Sequence, residues 1–278
     1  MNNPNCYICE KIMFTNNDYT FKCRSCNLFI SNLNPGYGRE IEGIDGLREI
    51  NSKKIINKIL KIKNNINFKI LEIGSGKGIF VKVCEDQNID ITASEPDDEQ
   101  YEDLKKKYKN VTKISLPFKE DRPDLYNKYD FIIFNDVFEH LKNLDVVLLQ
   151  LKKYLVKDGY LIFSLPSSKG FLYNISYFFY KIGFKSFYNR LWQKDLSSPH
   201  ITYFNQTNLN LFLKKFKYDL VYSEELDFLE RKGIYERINS TYKSKIFCIL
   251  ISILLIIFSF FQKILPRDAF FQIYKNSK

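Results

Sequence analysis

The stretch Glu72-Ile73-Gly74-Ser75-Gly76-Lys77-Gly78 constrains this chain most. An apolar run at 68–73 leads into it. Residues 77–87 follow, with Phe80, Val83 and Cys84 at helical spacing. A buried strand that breaks at glycines into a helix is the start of a βαβ unit. The rhythm then repeats. Strands are expected at 89–94, 111–114, 130–135 and 160–165, with helices at 97–108 and 142–156. A helix at 206–216, a strand at 218–228 and a closing run at 269–274 complete the pattern. Such alternation predicts an α/β fold, a Rossmann-like doubly wound sheet that is mostly parallel with an antiparallel last strand.

Ahead of the sheet lies a different kind of segment. Cys6-x-x-Cys9 and Cys23-x-x-Cys26 are separated by 13 residues. Each pair sets two thiolates on one side of a tight turn, and four thiolates complete a tetrahedral shell around Zn²⁺. A closed shell leaves no position for water, so the expected ion is structural, and so short a segment needs it to fold. No apolar signal segment follows Met1, which predicts a cytoplasmic protein with reduced thiols. The expected organisation is a zinc ribbon at 1–33, then a linker and amphipathic helix at 34–67. The α/β domain takes 68–278, with irregular inserts at 167–199, crowded with aromatics, and at 229–268.

The glycine turn also restricts its ligand. Gly74 and Gly76 let a ligand approach the backbone, and Gly78 lets the next helix pack on the strand. A dinucleotide site would read G-x-G-x-x-G, whereas here the spacing is G-x-G-x-G and Ile79 follows. Glu72 would repel a pyrophosphate and suits a cationic ligand. Glu95, 21 residues after Gly74, ends the second strand. A carboxylate there can accept hydrogen bonds from both ribose hydroxyls.

These residues carry a resemblance. The run Leu71 to Gly78 resembles the first motif of class I S-adenosylmethionine-dependent methyltransferases, and Ser94-Glu95-Pro96 the second. The run Tyr129 to Leu141 is similar to the fourth, and Asp158 to Pro166 to the strand that follows. The resemblance implies S-adenosylmethionine as cofactor, a ligand with a sulfonium, an ammonium and no phosphate. Glu72, Gly74, Gly76, Gly78, Glu95, Asn135 and Asp136 are its expected contacts. Thr112-Lys113-Ile114-Ser115 stands where the family often has an acid for the adenine amine, which leaves adenine to backbone groups. With its four-cysteine ribbon, Asn34-Pro35 and the run His200 to Asn205, the chain resembles a bacterial group of sugar C-methyltransferases and glycan-modifying relatives. His140 and His200 are the only histidines. Methylating a hydroxyl requires removal of its proton, and imidazole suits that work. Both are candidate catalytic bases, with Asp136 to orient them.

The formal net charge is +10, which favours anionic partners. Residues 246–261 carry no charge, and basic residues flank them on both sides. At 1.5 Å per residue they reach roughly 24 Å, short of a hydrocarbon core of about 30 Å. Peripheral contact on the inner face of the cell membrane is expected in place of a span. The acceptor suggested is a sugar or glycan precursor of the envelope, lipid-linked or near lipid. A lipid or quinone O-methyltransferase is the alternative. An RNA-binding or RNA-methylating protein is a third reading, disfavoured because Lys11, Lys22 and Arg24 in the ribbon are set against Glu10 and Asp18.

Overall fold

The computed structural model describes residues 3–37, 42–119 and 121–277. Positions 38–41 of the expected linker therefore lie outside the described residues. The N-terminal unit holds three short strands, β1 (Phe14–Thr15), β2 (Thr20–Lys22) and β3 (Phe29–Ser31). Helix α1 (Asp45–Lys63) follows, then β4 (Lys69–Ile73), α2 (Ile79–Glu85), β5 (Asp90–Ser94), α3 (Asp98–Lys107) and β6 (Val111–Thr112). Next come β7 (Tyr129–Asn135), α4 (Leu144–Lys152), β8 (Leu155–Pro166), α5 (Phe171–Lys181), α6 (Ser186–Leu191) and β9 (Thr202–Tyr203). Helix α7 (Gln206–Lys215), β10 (Tyr218–Leu226), α8 (Ile234–Asn239), α9 (Lys245–Ser259) and β11 (Ala269–Asn276) close the chain.

Seven strands form the main sheet in the order β10-β11-β8-β7-β4-β5-β6. Strands β4 to β8 pair in parallel, and β11 runs antiparallel between β8 and β10. This is the expected Rossmann-like sheet. Its central strands are apolar on both faces because both are covered. Alternate residues serve opposite cores, as a two-residue period requires. Ile132 and Phe134 of β7 point to the core under α4 and α7, while Phe131 and Ile133 point to the one under α1 and α2.

Two predicted boundaries move. The helix at 142–156 stops at Lys152, and Leu155 pairs with Tyr129 at the start of β8. An irregularity follows in that register, where Asp158 takes φ 63°. A polar turn inside the strand disguised its first residues as helix. The amphipathic helix expected within 34–67 starts as early as Asp45, which shortens the linker, and its Ile55, Ile56 and Ile59 are buried against the sheet.

The N-terminal unit does not stand apart. Strand β3 pairs with β9, so a strand from beyond β8 extends its small sheet. The aromatics of 167–199 explain the contact. Tyr173, Tyr188 and Trp192 pack with Tyr19 and Phe29 of that unit in one buried cluster. The Tyr19 hydroxyl donates to Asn189 at 2.9 Å, and the Tyr177 hydroxyl to Asn16 at 2.6 Å.

Candidate active site

The glycine turn sits at the carboxyl end of β4, against the loop that leaves β7. Gly74 has φ 70°, and a Cβ there would meet Val137 Cγ2 at 2.8 Å. Only glycine allows both the backbone turn and the close approach. Gly76 and Gly78 also take positive φ. The Gly76 N–H donates to Glu95 Oε2 at 2.8 Å, and the Asp97 N–H to Glu95 Oε1 at 3.2 Å. Glu95 therefore fixes the turn through two backbone N–H groups.

Glu72 is 2% exposed. Its Oε1 accepts from Asn135 Nδ2 at 2.8 Å, while Oε2 is buried with no hydrogen-bond partner among the described residues. Burial pushes this carboxyl up to about 7, against the pull of Asn135, the Ser75 hydroxyl and the Arg48 charge. An acid kept so dry matches a ligand that brings a positive charge. The orphaned Oε2 and the open glycine turn fit S-adenosylmethionine. Asp136 has φ 53°, and its N–H donates to the Ser164 carbonyl at 3.0 Å. Its Oδ2 lies 3.6 Å from Arg48 Nε.

His140 and His200 come together although 59 residues separate them from contiguity in sequence. Their ring centroids are 4.7 Å apart. His140 ends a 3₁₀ turn, Phe138–His140, after β7. Its Nδ1 lies 3.0 Å from the Pro199 carbonyl oxygen. A carbonyl only accepts, so Nδ1 carries the hydrogen and Nε2 presents its lone pair. Burial holds both imidazoles below their ordinary pKa, His200 well below it with help from His140. His200 is held in place by the N-terminal unit. The Ser31 hydroxyl donates to the His200 carbonyl at 2.7 Å, and the Ser31 N–H to the Ile201 carbonyl at 2.8 Å.

The four predicted thiols converge. Cys6 and Cys26 Sγ are 3.5 Å apart, Cys9 and Cys23 Sγ 3.4 Å, and all four lie within 4.8 Å of one another. Those distances are far too long for disulfides, at about 2.05 Å. They approach the edge of a tetrahedron of thiolates, about 3.8 Å at a Zn–S length of ~2.3 Å.

The Methyltransferase domain family model matches residues 46–223, well over half of the chain. The chain belongs to this family. It is an S-adenosylmethionine-dependent methyltransferase. No curated protein matches it. Among solved structures, a SAM-dependent methyltransferase from Archaeoglobus fulgidus aligns with a TM-score of 0.51 at 16% identity. That alignment covers 84% of this chain and 97% of the other. The MccD protein aligns with a TM-score of 0.50 at 14% identity, over 81% of this chain and 97% of its own. At such identities the likeness concerns the fold.

Three residues of this methyltransferase's site were not singled out from sequence. Glu139 lies between the two histidines, its Oε1 4.0 Å from His140 Nε2 and 3.9 Å from His200 Nε2. Arg48, on α1, reaches Asp136. Arg237, on α8, is half-buried near Asp136, Tyr203 and Asp268, and desolvation lowers its pKa. Glu139 had a weak signal, an acid beside a histidine after a buried strand. The two arginines had none, because their helices reach the site only in three dimensions.

Proposed function

We propose that this methyltransferase acts on a sugar or glycan precursor of the cell envelope, at a membrane surface. The observation that carries the reading is the exposed face of α9. Ile246, Leu250, Ile253, Leu254 and Ile257 are each half or more exposed, as are Phe260, Phe261 and Ile264 beyond it. Phe178, Ile182 and Phe184 around α5 are equally exposed, and Phe171 of α5 stacks on Phe258 of α9 at 4.9 Å. A contiguous apolar face of this size marks a docking surface. Lys243, Lys245 and Lys263 flank it and suit anionic headgroups. Among the described residues no helix is long and apolar enough to cross a membrane, so the face would lie on the surface.

In this reading Glu72, Gly74, Gly76, Gly78, Glu95, Asn135 and Asp136 hold S-adenosylmethionine, which supplies an electrophilic methyl group on its sulfonium. Cys6, Cys9, Cys23 and Cys26 hold a structural Zn²⁺. The acceptor enters between the Asp136 loop and the His200 segment. There the neutral imidazole of His140 can take a hydroxyl proton at Nε2, and His200 can do so once Gln193 releases its Nε2. The sugar assignment rests on the N-terminal unit and the His200 run, the two features behind the resemblance. Mass spectrometry of envelope glycans from a strain lacking the gene tests it. A glycan lighter by one methylene is the expected result. Unchanged glycans with a methyl lost from a lipid or quinone would move the acceptor to that class. Liposome flotation of Leu250→Lys/Leu254→Lys tests the surface, and recovery equal to that of the unaltered protein would remove it.

A further inference from the structure

Glu139 poses a problem that methyl transfer alone does not solve. It is 1% exposed, and neither carboxylate oxygen has a hydrogen-bond partner among the described residues. A buried carboxyl in that state keeps its proton unless a cation completes its surroundings. The two imidazoles beside it lie 4.0 and 3.9 Å away, too far to donate a hydrogen bond to it. They supply lone pairs instead. His140 is already arranged as a ligand, with Nδ1 bound to the Pro199 carbonyl and Nε2 turned to Glu139. An outer carbonyl that fixes the tautomer in this way is what metal-binding histidines generally have. His200 Nε2 faces the same carboxylate oxygen.

We propose that Glu139, His140 and His200 bind a divalent transition-metal ion. One ligand atom from each lies within 4.8 Å of the others. Bond lengths of about 2.0–2.2 Å place neighbouring ligand atoms roughly 3 to 3.5 Å apart, so small side-chain movements close the set. Two imidazoles and one carboxylate suit Zn²⁺, Mn²⁺ or Fe²⁺ better than Ca²⁺ or Mg²⁺, and leave positions open. Gln193 Nε2 donates to His200 Nε2 at 3.0 Å, and the ion replaces that hydrogen bond. The site is distinct from the four-cysteine cluster in its chemistry, and it stands whichever acceptor the enzyme uses. Once it is occupied, the imidazoles are ligands and no longer bases.

The test uses the full-length protein with its thiol cluster saturated with zinc. Mn²⁺ alone is titrated and followed by electron paramagnetic resonance. One further Mn²⁺ per chain is expected, with affinity lowered about tenfold or more in Glu139→Gln and in His200→Gln. Absence of binding in the folded wild type overturns the proposal, as does binding unchanged in both variants. Should the variants fail to fold, the wild type decides through Co²⁺. Weak d–d bands without thiolate charge transfer support the site, and thiolate bands alone overturn it.

Discussion

At the glycine turn, Glu72 and Glu95 accept hydrogen bonds from Gly76, Asp97 and Asn135, all between residues 72 and 135. At the Glu139 cluster the partners come from across the chain. Ser31 holds the His200 backbone, Pro199 fixes His140, and Gln193 meets His200. The cofactor side is thus assembled by one βαβαβ run, whose geometry is common to many acceptors. In the proposed reading the acceptor side is assembled by the N-terminal unit and an insert, parts that a different enzyme of the same fold can exchange. Specificity belongs where the contacts are long-range.

The largest effect that would test this division comes from the thiols. Structural zinc contributes roughly 10–16 kcal/mol to small domains that depend on it. Cys23→Ser/Cys26→Ser is expected to release zinc, expose residues 3–31 to proteases and abolish methyl transfer, while S-adenosylmethionine still binds. Limited proteolysis with calorimetry reads both. Cofactor binding lost together with transfer would make the two sides one unit.

Glu72 comes next. Its carboxyl titrates near 7 in the fold and near 4.5 when exposed. The folded protein therefore keeps a proton that the unfolded chain has released. The stability from this group is full below about 4.5 and falls as pH rises towards 7, by about 3 kcal/mol in all. A bound cation favours the carboxylate, so cofactor affinity should climb over the same range. Urea denaturation and cofactor titrations at low and neutral pH should show the two opposite slopes, and Glu72→Gln should flatten both. Parallel slopes in wild type and variant would assign the effect elsewhere.

Gly74→Ala strains a left-handed backbone and presses on Val137. A cost of about 1–3 kcal/mol predicts cofactor binding weaker by roughly 5- to 150-fold. If the four-cysteine zinc content also fell, the turn and the N-terminal unit would not be independent. The smallest effect is on the other side. The Leu172 and Tyr173 N–H groups donate to Asp268 at 2.9 and 2.8 Å, which caps α5 from a distant segment. Asp268→Ala should lower stability by about 1 kcal/mol, a few degrees in Tm, with cofactor affinity unchanged. A variant melting with wild type would show the cap to be dispensable.

The same division explains what the sequence discloses. Gly74, Gly76, Gly78, Glu72 and Glu95 are readable because a strand, a turn and a helix fix them within a few residues of one another. The parallel sense of the central strands is readable for the same reason. Leu155 misled because a polar turn at Asp158 interrupts the period of its strand. Glu139 could not be weighed, since its importance lies in being buried without a donor, and residues far along the chain decide that. The aromatics at 167–199 stood out only as an irregular insert. Much of that surface is buried against Tyr19 and Phe29, a pairing that no local pattern encodes.

The bond from Ser31 to the His200 carbonyl joins residues 169 positions apart. During synthesis the thiol-bearing segment emerges first and can close on its own ion within its short length. Its third strand must then wait for most of the chain before β9 arrives to pair with it. Until that moment the strand edge of β3 is open, and pairing of this kind is slow and vulnerable to wrong partners. In the proposed reading the acceptor side can be completed only after β9 has been made, whereas the strands that carry the cofactor turn, β4 and β7, precede it in the chain.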